Sequence, residues 1–192
     1  MNTRSQRVPN DMLITEMEKI VALLNEDTIK VNEIKKLVIN ISKNLEKIKS
    51  KIEKEKKKSK ILEKLKPKYD EIIKKSQNFK DWDEKRELLR YAIIMAIYCR
   101  INDLKTNQIR KVLDLANRTH LKLRRNKNEN IESDLAKMCY ILAYTAGRNQ
   151  AVEPLANVLD IMLQNADNKS FNKLYDFIQA VVAYHKFFGG GE

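Results

Sequence analysis

Two histidines and two cysteines are the first side chains to weigh for chemistry in this 192-residue chain, because each type can bind a metal or move a proton, and a thiolate can attack carbon. They are scattered. His120, His185, Cys99 and Cys139 stand singly, with no Cys-x-x-Cys pair and no second histidine at the i, i+4 spacing that sets two imidazoles on one helix face. No glycine-rich phosphate loop, Gly-x-Ser-x-Gly elbow or His-Glu-x-x-His motif occurs. The 26 acidic residues mostly alternate with lysine on helix faces. No catalytic residue, metal or cofactor is therefore expected, and the chain reads as a non-enzyme. His185, in the closing "AVVAYHKFFGGG", shares a helical stripe with Phe171, Leu174, Tyr175, Ile178 and Val182. It reads as a hydrogen-bonded core residue, with Lys186 at the margin of the stripe. Cys99 and Cys139 lie among apolar neighbours and read as reduced core thiols.

Charge offers more. Lys and Arg number 38 against 26 Asp and Glu, a formal +12, which makes polyanions the natural partners, nucleic acid ahead of an anionic membrane. Between Lys43 and Lys68 twelve lysines face four glutamates, so eight of the twelve net charges fall in one stretch. Such a run reads first as a solvated helix face. A second basic pattern is more ordered. On a helical wheel for residues 106–125, Ile109, Val112, Leu113, Ala116, His120 and Leu123 share one face, and Lys111, Arg118, Lys122 and Arg125 line the opposite one. Four cations in register form a stripe able to track phosphates; an ordinary solvated surface is the rival explanation. Arg148 falls at a joint between two helices, near free backbone amides, where a phosphate role and simple capping are equally open. Few aromatics accompany these cations, so base stacking is expected to be minor.

The elements that must position these residues read as helices, since only four glycines and three prolines punctuate the chain. A first helix ends near Asn25. Ile34, Leu37, Ile41, Leu45, Ile48 and Ile52 then follow at steps of three and four, the stripe of one long amphipathic helix or a coiled-coil strand. The stripe dissolves in "EKEKKKSK", and Pro67 interrupts the pattern before a short helix. "DWDE" has the form of a capping box, with Asp81 and Glu84 as its reciprocal partners. From Tyr91 to Cys99 the next helix is apolar all round, which places it at the centre of the core. Thr106 caps the helix that follows. "IESDLAKMCYILAYTAGRNQ" reads as mostly buried, with Gly147 as its left-handed cap, and Pro154 suits the first turn of a further helix. The expected fold is all-α: a compact bundle of about five helices over residues 81–192, preceded by a basic helical extension, coiled coil or hairpin, over residues 1–80. No secretory signal is expected in the first residues, and "YAIIMAIYC" is too short to cross a bilayer, so a cytoplasmic chain without a membrane partner is expected.

Three stretches taken together, "LKTNQIRKVLDLANR", "ILAYTAGRN" and "FNKLYDFIQAVVAYHKFFGG", resemble the small subunit of the type III-A CRISPR effector complex, the Csm complex, in order and approximate spacing. The "AYxAGR" element and the closing "AYHKFFGG" are the most specific. The resemblance covers residues 82–190; residues 1–80 match nothing in it. It implies a compact helical bundle without catalytic activity, present in several copies stacked along guide RNA and target RNA. Its neighbours would be the backbone subunits, which cleave RNA, and the large polymerase-like subunit. Matched position by position, it adds Lys105, Arg110 and Lys111, then Arg148 and Lys186, as RNA-facing residues, and leaves Thr106, Gln108 and Tyr184 to shape local structure. Two rival readings differ in class. One is a coiled-coil scaffold dimerising through residues 28–65. The other is a DNA-binding helix-turn-helix using residues 106–124, which is weaker because only Asn107 among its outward groups suits a base edge.

Overall fold

The computed structural model describes residues 10–191, and every regular element among them is helical. The chain divides into two compact units, Met1–Pro67 and Lys68–Glu192. In the first, α1 (Asn10–Leu24) and α2 (Val31–Glu46) pack as a hairpin. Each has an apolar residue every three or four positions, and these interlock: Leu13, Met17, Ile20 and Leu24 from α1, with Ile34, Val38, Ile41 and Leu45 from α2, are buried. α3 (Lys51–Ser76) adds Ile61 and Leu65 to the buried set and pairs Lys64 with Glu18 at 2.7 Å.

The expected continuous stripe through Ile52 is broken. α2 ends at Glu46, and Ser50 restarts the chain as α3 by accepting the Glu53 amide on its hydroxyl and the Lys54 amide on its carbonyl. Ile52 is left 72% exposed. The α2 stripe is occupied by α1 of the same chain, so the single dimerising strand over residues 28–65 is not what forms. Pro67 also fails to end a helix, and α3 runs through it to Ser76. Pro67 and Glu63 are both exposed, which lets solvent replace the donor that proline lacks.

In the second unit α4 (Leu89–Ile101) is the central element, as its apolar run from Tyr91 to Cys99 demands: Tyr91 through Ile97, Cys99 and Ile101 are buried. α8 (Phe171–Phe187) and α7 (Glu153–Gln164) pack on it, α5 (Thr106–Arg125) packs on α8, and α6 (Glu132–Arg148) rests chiefly on α5 and α7. The bundle thus holds five full helices. Residues 68–80 belong to its core as well. Tyr69 stacks on Tyr98 at 4.7 Å and donates its hydroxyl to the Pro154 carbonyl, while Ile72 and Phe79 are fully buried.

Entry to α4 differs from the expected Asp81 box. Asp81 closes a tight 3-10 turn, Phe79–Asp81, which drives Trp82 into the core. There its indole donates to the Lys75 carbonyl and meets Tyr91 and Phe177 edge-on. The cap is Asp83: its Oδ1 accepts the Arg86 amide at 2.8 Å, and Glu87 reaches back to the Asp83 amide at 3.0 Å. A wide π turn over Glu84–Leu88, with Leu88 N–H bonded to the Asp83 carbonyl, inserts one residue into the box and stretches its spacing from three to four.

α6 is the larger correction. Only Asp134, Met138 and Leu142 are buried on it, because as an outer helix it has neighbours along one side only. Gly147 lies inside the helix, open enough that a Cβ there would meet nothing within 4 Å, and Asn149 is the cap. The left-handed glycine is Gly189, φ 80°, at the end of α8. The Gly189 amide bonds to the Lys186 carbonyl and the Gly190 amide to the His185 carbonyl, a Schellman closure.

Candidate nucleic-acid interface

α5 carries the expected basic face, and its apolar face explains the orientation. Ile109, Val112, Leu115, Ala116, Thr119 and Leu123 point inward, with Leu115 and Thr119 taking places assigned above to Leu113 and His120. The half-buried His120 instead stacks on Tyr175 at 4.2 Å, with Nδ1 3.0 Å from the Asn172 amide oxygen. Lys111, Arg118, Lys122 and Arg125 are all exposed on the other side. At 1.5 Å per residue they extend over about 21 Å of a rigid helix. Among the described residues, Arg110, Lys111, Arg118 and Arg125 make no ion pair. Lys122 holds Asp134 at 2.7 Å, an almost fully buried carboxylate on α6. That pair fixes α6 against the C-terminal half of α5.

Beside it lies a groove of about 420 Å³, lined by Leu115, Arg118 and Lys122 from α5 and by Asp134, Lys137, Tyr140 and Ile141 from α6. Arg118 and Lys122 were legible as candidates; Lys137 and Tyr140 were not. One turn on from Tyr140, Tyr144 is also solvent-exposed, and Arg148 lies over its ring at 5.5 Å, donating Nη1 to the phenol oxygen at 2.8 Å. Tyr140 and Tyr144 are 69% and 64% exposed, so the few aromatics that accompany the cations are two neighbouring rings on one helix. Arg148 ends α6 and leans back along it, its guanidinium donating to Tyr144.

The remaining predicted cations gather at the start of α5. Lys105 precedes its first turn, where Gln108 Oε1 accepts the Lys105 amide at 2.8 Å. Gln108, not Thr106, therefore supplies the cap; the Thr106 hydroxyl and amide both donate to the Gly191 carbonyl, at 3.2 and 3.1 Å. His185 is 2% exposed here, its Nδ1 3.5 Å from Thr106 Oγ1 and its Nε2 without a protein partner among the described residues. Burial above all pushes its pKa down to about 4, partly opposed by the Leu104 backbone, with the nearby charges of Arg100, Lys186 and Lys105 adding smaller downward effects. It is a neutral core imidazole, covered by Gly190, where any Cβ would overlap the ring. Lys105 and Lys186 are exposed around it, which brings two of the predicted cations together at one pole. Lys122 and Arg125 lie about 25–30 Å away along α5.

The lysine run on α3 is differently occupied. Lys57 pairs with Glu53 and Lys58 with Glu55 at i, i+4 and i, i+3 spacing, while Lys64 reaches across to Glu18 on α1, and Lys57 is itself buried, so part of the run is spent within the fold. The cysteines offer no site: Cys99 is buried and Cys139 half-buried, and burial raises both thiols above their usual range. No group of three or more metal-ligating side chains occurs among the described residues, nor any helix long and apolar enough to cross a membrane.

The family model described as Csm2 Type III-A matches residues 82–191, more than half of the chain. A relative from Streptococcus thermophilus, named "CRISPR system Cms protein Csm2", is 31% identical over 90 residues, which cover 45% of this chain and 74% of that one.

Proposed function

We propose, from the premise that the chain belongs to the Csm2 type III-A family of CRISPR small subunits, that it holds RNA by its phosphates along the α5–α6 face and makes or breaks no bond itself. The observation that carries this is the row Lys111, Arg118, Lys122 and Arg125, exposed on one face of a helix whose other face is locked into the bundle. A folded helix presents these cations without a backbone-ordering cost at binding, and the counterions released from the strand drive association. Lys137 and Arg148 widen the row on α6. Lys105, Arg110 and Lys186 supply further contacts where the strand passes the start of α5. None of these side chains discriminates bases through a donor and acceptor pattern, so sequence recognition falls to pairing between guide and target. Asp134, the carboxylate that lines the groove, is occupied by Lys122 and acts as a positioning group rather than a free base. The protein's other partners are the backbone and large subunits of the Csm complex and further copies of itself, met through surfaces other than this row.

The test is the affinity of the full chain for a fluorescent single-stranded RNA at low ionic strength. Lys111→Glu combined with Arg118→Glu is expected to weaken binding by tenfold or more, and Arg148→Glu to weaken it less, since its guanidinium already serves Tyr144. Unchanged affinity in the double variant, with its helical circular dichroism intact, would remove the row from the interface.

A further inference from the structure

Phosphate contact leaves the α5–α6 groove unexplained. Its lining combines the apolar Leu115 and Ile141 and the ring of Tyr140 with Arg118, Lys122 and Lys137, the charge of its one carboxylate, Asp134, being balanced by Lys122. A cationic surface that met only phosphates would gain nothing from an aromatic ring left in water, and two such rings stand on successive turns of one helix face. Tyr140 and Tyr144 are four residues apart, which sets their Cβ atoms about 6 Å from each other. The Tyr144 ring is steadied by the Arg148 guanidinium above it and the hydrogen bond to its phenol. A ligand matched to this set carries negative charge and presents a flat π face, which is the chemistry of an unpaired nucleotide. The groove's volume of about 420 Å³ lies in the range of small-ligand sites and accommodates one base with its sugar.

We infer that the α5–α6 groove takes an unpaired RNA base, stacked on Tyr140, while Arg118, Lys122 and Lys137 hold the flanking phosphates. Tyr144, backed by Arg148, offers the next stacking surface along the strand. The inference rests on the RNA reading given above and adds a contact that does not depend on salt. In a duplex the bases are already stacked on one another and their faces are closed, so the groove selects single-stranded over double-stranded RNA.

The experiment uses the full chain and a single-stranded RNA dodecamer carrying one internal 2-aminopurine, whose fluorescence falls when it stacks. The wild type is expected to quench it. Tyr140→Ala should abolish the quenching and weaken binding at least fivefold, with the salt dependence unchanged, whereas Tyr140→Phe, which keeps the ring, should retain both. An abasic dodecamer should bind the wild type at least fivefold more weakly than the intact RNA does, a comparison that stands even if the alanine variant misfolds. Equal affinity for abasic and intact RNA would overturn the stacking contact while leaving the phosphate row in place. Loss of self-association in Tyr140→Ala, with quenching preserved, would assign the ring to a second copy and overturn it as well. Failure of the wild type to bind any RNA would end both readings.

Discussion

His185 gives the structure its clearest pH signature. The ring is buried, and the cations of Arg100, Lys186 and Lys105 resist a further positive charge, so it stays neutral in the fold down to about pH 4. In the unfolded chain the same group takes a proton near pH 6.5. Between these values the unfolded state binds the extra proton, so stability is complete above pH 6.5 and falls with acid, by about 1.4 kcal/mol per pH unit. Across the whole window the loss comes to about 3 kcal/mol. Asp167 does not obscure this, since its pairing with Lys80 and Ser170 holds it well below the usual carboxylate range and its contribution disappears only below about pH 4. Asp176, raised by burial, acts in the opposite sense, and it cancels when two variants are compared. The assay is urea unfolding followed by Trp82, the chain's single tryptophan, buried in the second unit. Wild type should lose about 3 kcal/mol more than His185→Phe between pH 7 and pH 4. Parallel pH profiles for the two proteins would refute a buried neutral imidazole.

Three glycines separate by environment. Gly190→Ala, whose Cβ overlaps the His185 ring, should cost about 1–3 kcal/mol, and Gly189→Ala, at φ 80°, about 1–2 kcal/mol. Gly147→Ala, inside a helix with open space around it, should gain about 0.5–1 kcal/mol in the same unfolding assay. A fragment of residues 68–192 should melt cooperatively. One of residues 81–192 should be weaker by about 3–6 kcal/mol, because it loses the buried Ile72 and Phe79 and the Tyr69 contacts; equal midpoints for the two would show that residues 68–80 are dispensable.

The helical class, the mostly buried α4 and the outward cations of α5 follow directly from periodicity, because in each case a single face or most of the circumference decides the outcome. Where the pattern misled, a local backbone choice or a missing neighbour was responsible. Asp83 outbids Asp81 as a cap only because Trp82 must reach the core and the turn after it is one residue wider. Ser50 divides a stripe that looks continuous through Ile52. Tyr140 and Tyr144 count as apolar in any sequence pattern, yet their exposure depends on α6 having neighbours along one side only, a tertiary fact. Gly147 and Gly189 both lie near helix ends, and which one turns left-handed depends on the chain being tied beyond it, as Gly191 is to Thr106. Lys137 was invisible for a simpler reason: one lysine on a helix says nothing until Arg118 and Lys122 are found across the groove.

The most direct measurement of the central claim is the RNA affinity of the wild-type chain as a function of salt. Lys111, Arg118, Lys122 and Arg125, each neutralising a phosphate, should make the logarithm of the association constant fall against the logarithm of salt concentration with a slope of at least about −3, steeper by about 0.7 for each further phosphate met by Lys105, Arg110, Lys137, Arg148 or Lys186. A slope near zero, or no association at low ionic strength, would contradict it.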